Sequence, residues 1–139
     1  WDVRRTQKPV RTMPTGAHQH WVWNVLYHPH HDELLISSSS DGRVVLWNVA
    51  SISASAEAEA VRSVSPSTGG ESSSSSSTSM SPSQKDGPVK IYEEHEDSVY
   101  GLAWGVSPSS SVWSFISLSY SGRAVINYVP PELSDLSRY

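Results

Sequence analysis

The sequence contains no cysteine, one phenylalanine and two methionines among its 139 residues. Without cysteine the chain can form neither a disulfide nor a thiolate metal site, which is typical of a reducing compartment. No apolar run approaches the roughly 20 residues that a membrane-spanning helix needs, so we expect no direct membrane insertion. Ten basic residues against 14 acidic ones give a formal net charge of −4. That balance disfavours a broad surface for nucleic acid.

Tryptophan is the one abundant large ring, with six copies. Large aromatic side chains favour half-buried, pleated surfaces, so this bias predicts strands. The first residue is Trp1 rather than methionine, and we therefore expect the chain to be part of a longer protein.

Residues 51–87 differ from the rest, because 15 of these 37 residues are serine and none is aromatic. Such a segment cannot bury enough apolar area to offset the entropy of ordering its backbone, about 1–2 kcal/mol per residue. We expect it to be a disordered loop. Ser65 and Ser81 each precede a proline there and are candidate phosphorylation sites, whose phosphates would add negative charge.

The segments on either side of this loop repeat each other. His18–Tyr27 matches His95–Trp104 at an offset of 77 residues, and Leu35–Leu46 matches Phe115–Ile126 at an offset of 80. Each copy holds three short apolar runs, and a turn pair, Asp41-Gly42 or Ser121-Gly122, separates the last two. A fourth run follows the loop, which predicts a four-stranded repeat unit with the loop inserted between its third and fourth strands.

The order Ala17-His18, Asp41-Gly42 and Trp47-Asn48 resembles the WD-repeat family, whose blades carry glycine-histidine, a turn aspartate and a closing Trp-Asp. The resemblance implies an all-β fold: a WD-repeat β-propeller fragment of about two and a half four-stranded blades, with the ring incomplete. The expected units are the end of a preceding blade (1–15), the penultimate blade (16–50 and 88–94), the loop (51–87), the last blade (95–131) and a C-terminal tail (132–139).

In that family a histidine, a strand serine, a turn aspartate and the closing tryptophan form a buried hydrogen-bond network in each blade. Carried over by position, the structural network comprises His18, Ser37, Asp41 and Trp47 in the first copy, with His95 and Ser117 in the second. Ser121 and Asn127 replace the aspartate and tryptophan of the second copy. We therefore expect the second network to be weaker or built differently. A hydrolase triad of the same residue types is disfavoured, because a nucleophile must be exposed beside an oxyanion hole.

Three strings, Val45–Ser53, Tyr92–Tyr100 and Ser117–Arg123, resemble a member of the family that acts in endosomal and trans-Golgi trafficking. The resemblance implies a non-catalytic scaffold without cofactors. It would bind vesicle-tethering complexes in endosomal recycling and endosome-to-Golgi transport, as a cytoplasmic protein peripheral at endosomes and the trans-Golgi network. The alternative is a substrate receptor of a cullin-type ubiquitin ligase, because Trp1-Asp2-Val3-Arg4 fits the Trp-Asp-x-Arg pattern of such receptors.

Partner-binding candidates are the residues that the resemblance places on the narrower face of the ring: Trp21, Gln19, Ser40, Glu96, Ser98 and Tyr120, together with Arg4 for the alternative. For Trp21, a role as an interface anchor and packing between blades remain equally open. For Trp23 we expect packing between blades. The histidines of His28–His31 suggest a metal site by composition, but their position in a turn favours solvated side chains, and we predict no metal.

Overall fold

The computed structural model describes residues 7, 9, 11–52, 86–105 and 112–134. Seven strands are the main secondary structure among them. In chain order they are β1 (Val22–Tyr27), β2 (Leu34–Ser39), β3 (Val44–Asn48), β4 (Gly87–Tyr92), β5 (Val99–Gly105), β6 (Ser114–Ser119) and β7 (Ala124–Tyr128). A short helix, α1 (Pro131–Ser134), follows. None of the helices formed by the described residues has the length or apolar character needed to cross a bilayer.

The strands form two antiparallel sheets in simple sequential order. The first sheet is β1-β2-β3-β4 and the second is β5-β6-β7. Among the described residues β7 pairs only with β6. The first sheet has the four-strand order of one propeller blade, and the second has the order of the first three strands of another, so the predicted all-β propeller fragment is confirmed.

The central strands of the first sheet are buried on both faces. On one face Leu34, Ile36 and Leu46 belong to a core shared with the second sheet. On the other face Leu35 and Trp47 form a smaller cluster with Ala17, Val45 and Val49. A strand that is covered on both sides needs a continuous apolar run rather than an alternating one, as β2 and β3 show. Each large side chain buried in this way contributes about 1.5–3 kcal/mol.

The two sheets pack face to face through the larger core. Val99 and Phe115 of the second sheet meet the first sheet there, and Leu133 of α1 closes one side. Tyr92 of β4 spans the contact: its ring lies edge-on to Phe115 at 5.1 Å between centroids. Its hydroxyl donates to the carbonyl of Tyr128 at 2.8 Å. Burial raises the pKa of Tyr92 to about 12, so the phenol stays protonated and keeps this bond.

The β2–β3 and β6–β7 hairpins close with the same turn. Gly42 and Gly122 have positive φ angles of 80° and 75°, a region that favours glycine. The two turns differ in what covers them. A Cβ at Gly42 would lie 2.9 Å from the carbonyl oxygen of His95, whereas one at Gly122 would meet no atom within 4 Å. The second blade therefore covers the turn of the first, and its own turn is open.

Described structure reaches into the segments expected to be the loop and the tail. Ala50–Ile52 forms a short 3-10 helix, and β4 begins at Gly87, so ordered structure extends into both ends of 51–87. Ser51 donates to the Asp86 carboxylate through its amide, at 2.9 Å, and through its hydroxyl. Arg11 pairs with the same carboxylate at 3.2 Å. In the expected tail, Leu133 of α1 is buried in the core. The expected limits of the units stay predictions.

Candidate functional site: two blade networks and an aromatic rim

Ser37 is the centre of the polar network in the first blade. Its hydroxyl lies 2.6 Å from Nε2 of His18 and accepts a hydrogen bond from Nε1 of Trp47 at 2.8 Å. The residue lies on β2 between Ile36 and Ser38, inside the sheet. The network thus supplies partners for two ring nitrogens that would otherwise be buried without any, at about 1–3 kcal/mol each.

Asp41 extends this network into the loop before β1. Its carboxylate accepts from the amides of Gln19 at 2.7 Å and Arg43 at 3.0 Å. It also lies 3.8 Å from Nδ1 of His18, beyond hydrogen-bond distance. Burial acts to raise the pKa of Asp41, but the two amides and the hydroxyl of Ser39 outweigh it, and the pKa is lowered. Burial lowers the pKa of His18. The structure therefore brings together all four residues that the sequence singles out.

The second blade builds its network differently. Nε2 of His95 lies 2.8 Å from the hydroxyl of Ser117, and Nδ2 of Asn127 donates to the same hydroxyl at 3.2 Å in place of a tryptophan. Ser121 occupies the aspartate position, but its hydroxyl bonds to that of Ser119 at 2.5 Å. Nδ1 of His95 is buried without a hydrogen-bond partner, as is Nδ1 of His18 in the first blade. The sequence marks Asn127 only as a departure from the family pattern. In the structure it is hydrogen-bonded within this network.

The buried position of Ser37 bears on catalysis. Ser37 is only 4% exposed, and its hydroxyl is hydrogen-bonded to ring nitrogens of His18 and Trp47. A nucleophile of the triad type must be exposed to a substrate beside an oxyanion hole, whereas Ser37 is a buried member of this hydrogen-bond network.

Four aromatic side chains are exposed where the strands β1 and β5 begin. Trp21 is 74% exposed and meets Trp23 edge-on at 6.3 Å between centroids. Tyr120 is 66% exposed and lies against Tyr100 at 4.7 Å. We call these four side chains the aromatic rim. Trp21 and Tyr120 are candidates from the sequence, whereas Trp23 and Tyr100 are not.

A β-bulge explains the exposure of Trp23 and Tyr100. The pairing of β1 with β2 shifts register between Val22 and Asn24, and the pairing of β5 with β6 shifts between Val99 and Gly101. Each bulge holds one extra residue, Trp23 or Tyr100, and bulges re-aim such side chains. Among the described residues Trp23 is 51% exposed, and the expectation that it packs between blades stays a prediction. The 77-residue offset of the sequence repeat aligns Trp23 with Tyr100, and this match was the sequence signal that could have identified the two equivalent positions.

Hydrogen bonds join the rim across the two blades. The amide of Ser40 donates to the carbonyl of Trp21 at 2.9 Å, and the amide of Tyr120 donates to that of Ser98 at 3.1 Å. The hydroxyl of Ser98 then donates to the carbonyl of Ser40 at 3.2 Å. The rim candidates of the two blades thus form one continuous surface. Gln19 lies beside Ser40 through the contact of its amide with Asp41.

The segment that links the blades places acidic side chains next to this surface. Glu96 is exposed, with a guanidinium nitrogen of Arg123 3.9 Å from its carboxylate. Arg123 also donates to the carbonyl of Glu94 at 2.9 Å, and Arg43 pairs with Glu93 at 2.8 Å. Exposed pairs of this kind contribute about 0–1 kcal/mol, so they shape the charge of the surface more than its stability.

A cluster of histidine and tryptophan rings lies at the opposite end of β1. It corrects the expectation that His28 is a solvated turn residue. His28 is buried, with its ring 4.7 Å from those of both Trp104 and Trp113. His31 stacks on Trp113 at 4.3 Å. Burial, with smaller contributions from His31 and His30, lowers the pKa of His28 to about 4. His28 is therefore a packing residue between blades and not a solvated turn histidine. No group of three or more metal-ligating side chains is found in the part of the chain that the structure describes.

Three candidates, Arg4, Ser65 and Ser81, lie outside the described residues.

Comparison with known proteins assigns the class. Residues 7–48 match the WD domain, G-beta repeat family, and this segment contains the first three strands and the complete Ser37 network. With the blade topology of both sheets, the match identifies the chain as a fragment of a WD-repeat β-propeller.

The relatives are more specific. The chain is 45% identical over 133 residues to the EARP and GARP complex-interacting protein 1 of Homo sapiens, covering 96% of this chain and 33% of that protein. It is 40% identical over 129 residues to the EARP-interacting protein 1 of Caenorhabditis elegans, covering 93% and 32%. It is 40% identical over 131 residues to the WD repeat-containing protein DWA2 of Arabidopsis thaliana, covering 94% and 31%. The chain thus spans about a third of the length of the curated relatives it matches.

Proposed function

We propose that the chain is part of a non-catalytic scaffold that binds vesicle-tethering complexes, and that the aromatic rim contributes to the contact surface. The names of the human and nematode relatives support the partner class, since they describe interaction with the EARP and GARP complexes. The setting we propose is endosomal recycling and endosome-to-Golgi transport. The protein would act from the cytoplasm at the surfaces of endosomes and the trans-Golgi network.

The observation that carries the surface assignment is the exposure of four aromatic rings on one continuous rim. Exposed tryptophan and tyrosine are expensive to leave in water, and they are enriched among the few residues that dominate binding at protein interfaces. Trp21 and Tyr120 have the largest exposed fractions of the four. The mechanism is recognition without bond chemistry, in which rigid sheets hold these rings in place for a partner subunit.

The first experiment is affinity purification of the full-length parent protein from its own cells, followed by mass spectrometry. We expect subunits of a vesicle-tethering complex among the recovered proteins. Recovery of a cullin-type ligase adaptor without tether subunits would contradict the proposal and favour the alternative. In that case Arg4→Ala should abolish ligase-adaptor binding, whereas it should leave tether binding unchanged under our proposal.

The second experiment tests the rim itself. Trp21→Ala and Tyr120→Ala, each in the full-length protein, should weaken tether binding by about 2 kcal/mol, or roughly 30-fold. Tyr27→Ala is the matched control, because Tyr27 is a 53% exposed aromatic residue at the opposite end of β1. Equal losses for all three variants, at unchanged thermal stability, would show that the rim is not the contact surface.

A further inference from the structure

The β2–β3 and β6–β7 turns have the same backbone hydrogen bonds and differ in two side chains, Ser40 against Tyr120 and Asp41 against Ser121. The amide of Ser39 donates a hydrogen bond to the carbonyl of Arg43 at 3.1 Å, and the amide of Ser119 donates to that of Arg123 at the same distance. In each turn the serine hydroxyl also accepts a hydrogen bond from the amide two residues later, at 3.2 Å. The donor is Asp41 in the first blade and Ser121 in the second. Ser121 therefore stands where the first blade has a carboxylate.

The missing carboxylate leaves the second blade short of an acceptor. In the first blade Asp41 accepts from the amides of Gln19 and Arg43 and lies near Nδ1 of His18. The matching groups are the amides of Glu96 and Arg123 and Nδ1 of His95. His95 is 9% exposed, and its Nδ1 has no hydrogen-bond partner. Nδ1 of His18 is also without a partner in the first blade, because the Asp41 carboxylate lies 3.8 Å from it. A buried nitrogen without a partner is costly, and a phosphate on Ser121 extends farther from the backbone than an aspartate carboxylate does.

The open turn makes Ser121 accessible to a modifying enzyme. Ser121 and Gly122 are both exposed, and space around Gly122 is free, in contrast to the covered turn at Gly42. Arg123 stands two residues after the serine, with a side chain that is 53% exposed. Its guanidinium contacts the carbonyl of Glu94 and the exposed carboxylate of Glu96, and a phosphate on Ser121 would compete with these groups for it.

We propose that Ser121 is a phosphorylation site and that its phosphate takes the structural role that Asp41 has in the first blade. The Ser121 hydroxyl oxygen attacks the terminal phosphorus of a nucleoside triphosphate bound to a kinase. The hydroxyl proton passes to a base of that kinase, the new P–O bond forms, and the bond to the nucleoside diphosphate breaks. The phosphate oxygens then accept from the amides of Glu96 and Arg123 and from Nδ1 of His95. Their charge of about −1.5 to −2 also attracts Arg123.

The modification would also act on the rim, because Tyr120 directly precedes Ser121. A phosphate held by the amides of Glu96 and Arg123 fixes the turn that presents Tyr120. This regulatory consequence rests on the proposed function, whereas the modification itself does not.

The test compares the full-length protein with phosphoserine at position 121, the unmodified protein and two variants. The readout is the imidazole pKa of His95 from an NMR titration, with the thermal midpoint as a second measurement. Phosphoserine should raise the pKa of His95 by about 1 or more, as a nearby opposite charge does, and should raise the midpoint. Ser121→Asp should change both in the same direction, and the neutral Ser121→Asn should not. An unchanged His95 titration, or a lower midpoint with phosphoserine, would overturn the proposal.

Phosphopeptide mapping of the protein from its own cells, with phosphatases inhibited, supplies the second arm. A phosphorylated peptide that contains Ser121 supports the proposal, and recovery of only the unmodified peptide overturns it. Neither readout involves a tethering complex, so a failure here is distinguishable from a failure of the proposed function.

Discussion

The sharpest test of the blade network uses two neighbouring serines of β2, both inside the first sheet. The Ser37 hydroxyl partners the rings of His18 and Trp47. The Ser38 hydroxyl is equally buried and has no hydrogen-bond partner. Replacing each by alanine removes the same oxygen atom from the same strand, so the pair separates the effect of hydrogen bonding from that of burial.

The expected magnitudes follow from what each substitution leaves behind. Ser37→Ala leaves two buried ring nitrogens without a partner, at about 1–3 kcal/mol each, so it should lower the free energy of unfolding by about 2–6 kcal/mol. Ser38→Ala strands nothing and removes an unsatisfied hydroxyl. It should change that free energy by less than about 1 kcal/mol, or increase it.

The assay is equilibrium unfolding of the full-length protein in urea, with the midpoint and slope of the transition compared among wild type and the two variants. A third variant, Ser117→Ala, extends the comparison to the second blade, where it strands His95 and Asn127. Equal losses for Ser37→Ala and Ser38→Ala would refute the reasoning, because the effect would then come from packing alone.

Two further predictions concern pH and the covered turn. Because the pKa of His28 is lowered to about 4 in the folded protein, the unfolded chain binds a proton first as the pH falls below 6.5. The stability from His28 is thus complete above about pH 6.5 and lost towards pH 4, by about 3 kcal/mol. Replacing it by phenylalanine should flatten that part of the pH profile in urea unfolding, and an unaltered profile would contradict the assignment. Gly42→Ala should destabilise by at least about 1 kcal/mol more than Gly122→Ala, since only Gly42 faces the carbonyl of His95; equal thermal midpoints for the two variants would exclude this clash.

Sequence predicts the blade topology because repetition is a property of order and spacing. The offsets of 77 and 80 residues are enough to place the strands, the turns and the two network serines, Ser37 and Ser117, because each depends on residues that are near in the chain. The network partner Asn127 could not be assigned in this way. Its position matches Trp47, but whether an amide reaches the Ser117 hydroxyl depends on side-chain geometry.

Two features could not be predicted because they depend on contacts between residues distant in the chain. The bulge at Trp23 is set by the pairing of β1 with β2. His28 was expected to be solvated because turns are usually polar. Its burial comes from Trp104 and Trp113, which are distant in sequence and become neighbours only when the blades pack.

The chain of hydrogen bonds through Ser40 and Ser98 has a consequence for how a partner would associate. Loops that must be ordered on contact cost binding entropy, at about 0.5–1.5 kcal/mol for each side chain immobilised. Here the backbone beside Trp21 and Tyr120 is held before any partner arrives, and both rings already rest against a neighbour. A surface preorganised in this way spends little of its binding energy on its own ordering, so even a small contact area can support a durable complex.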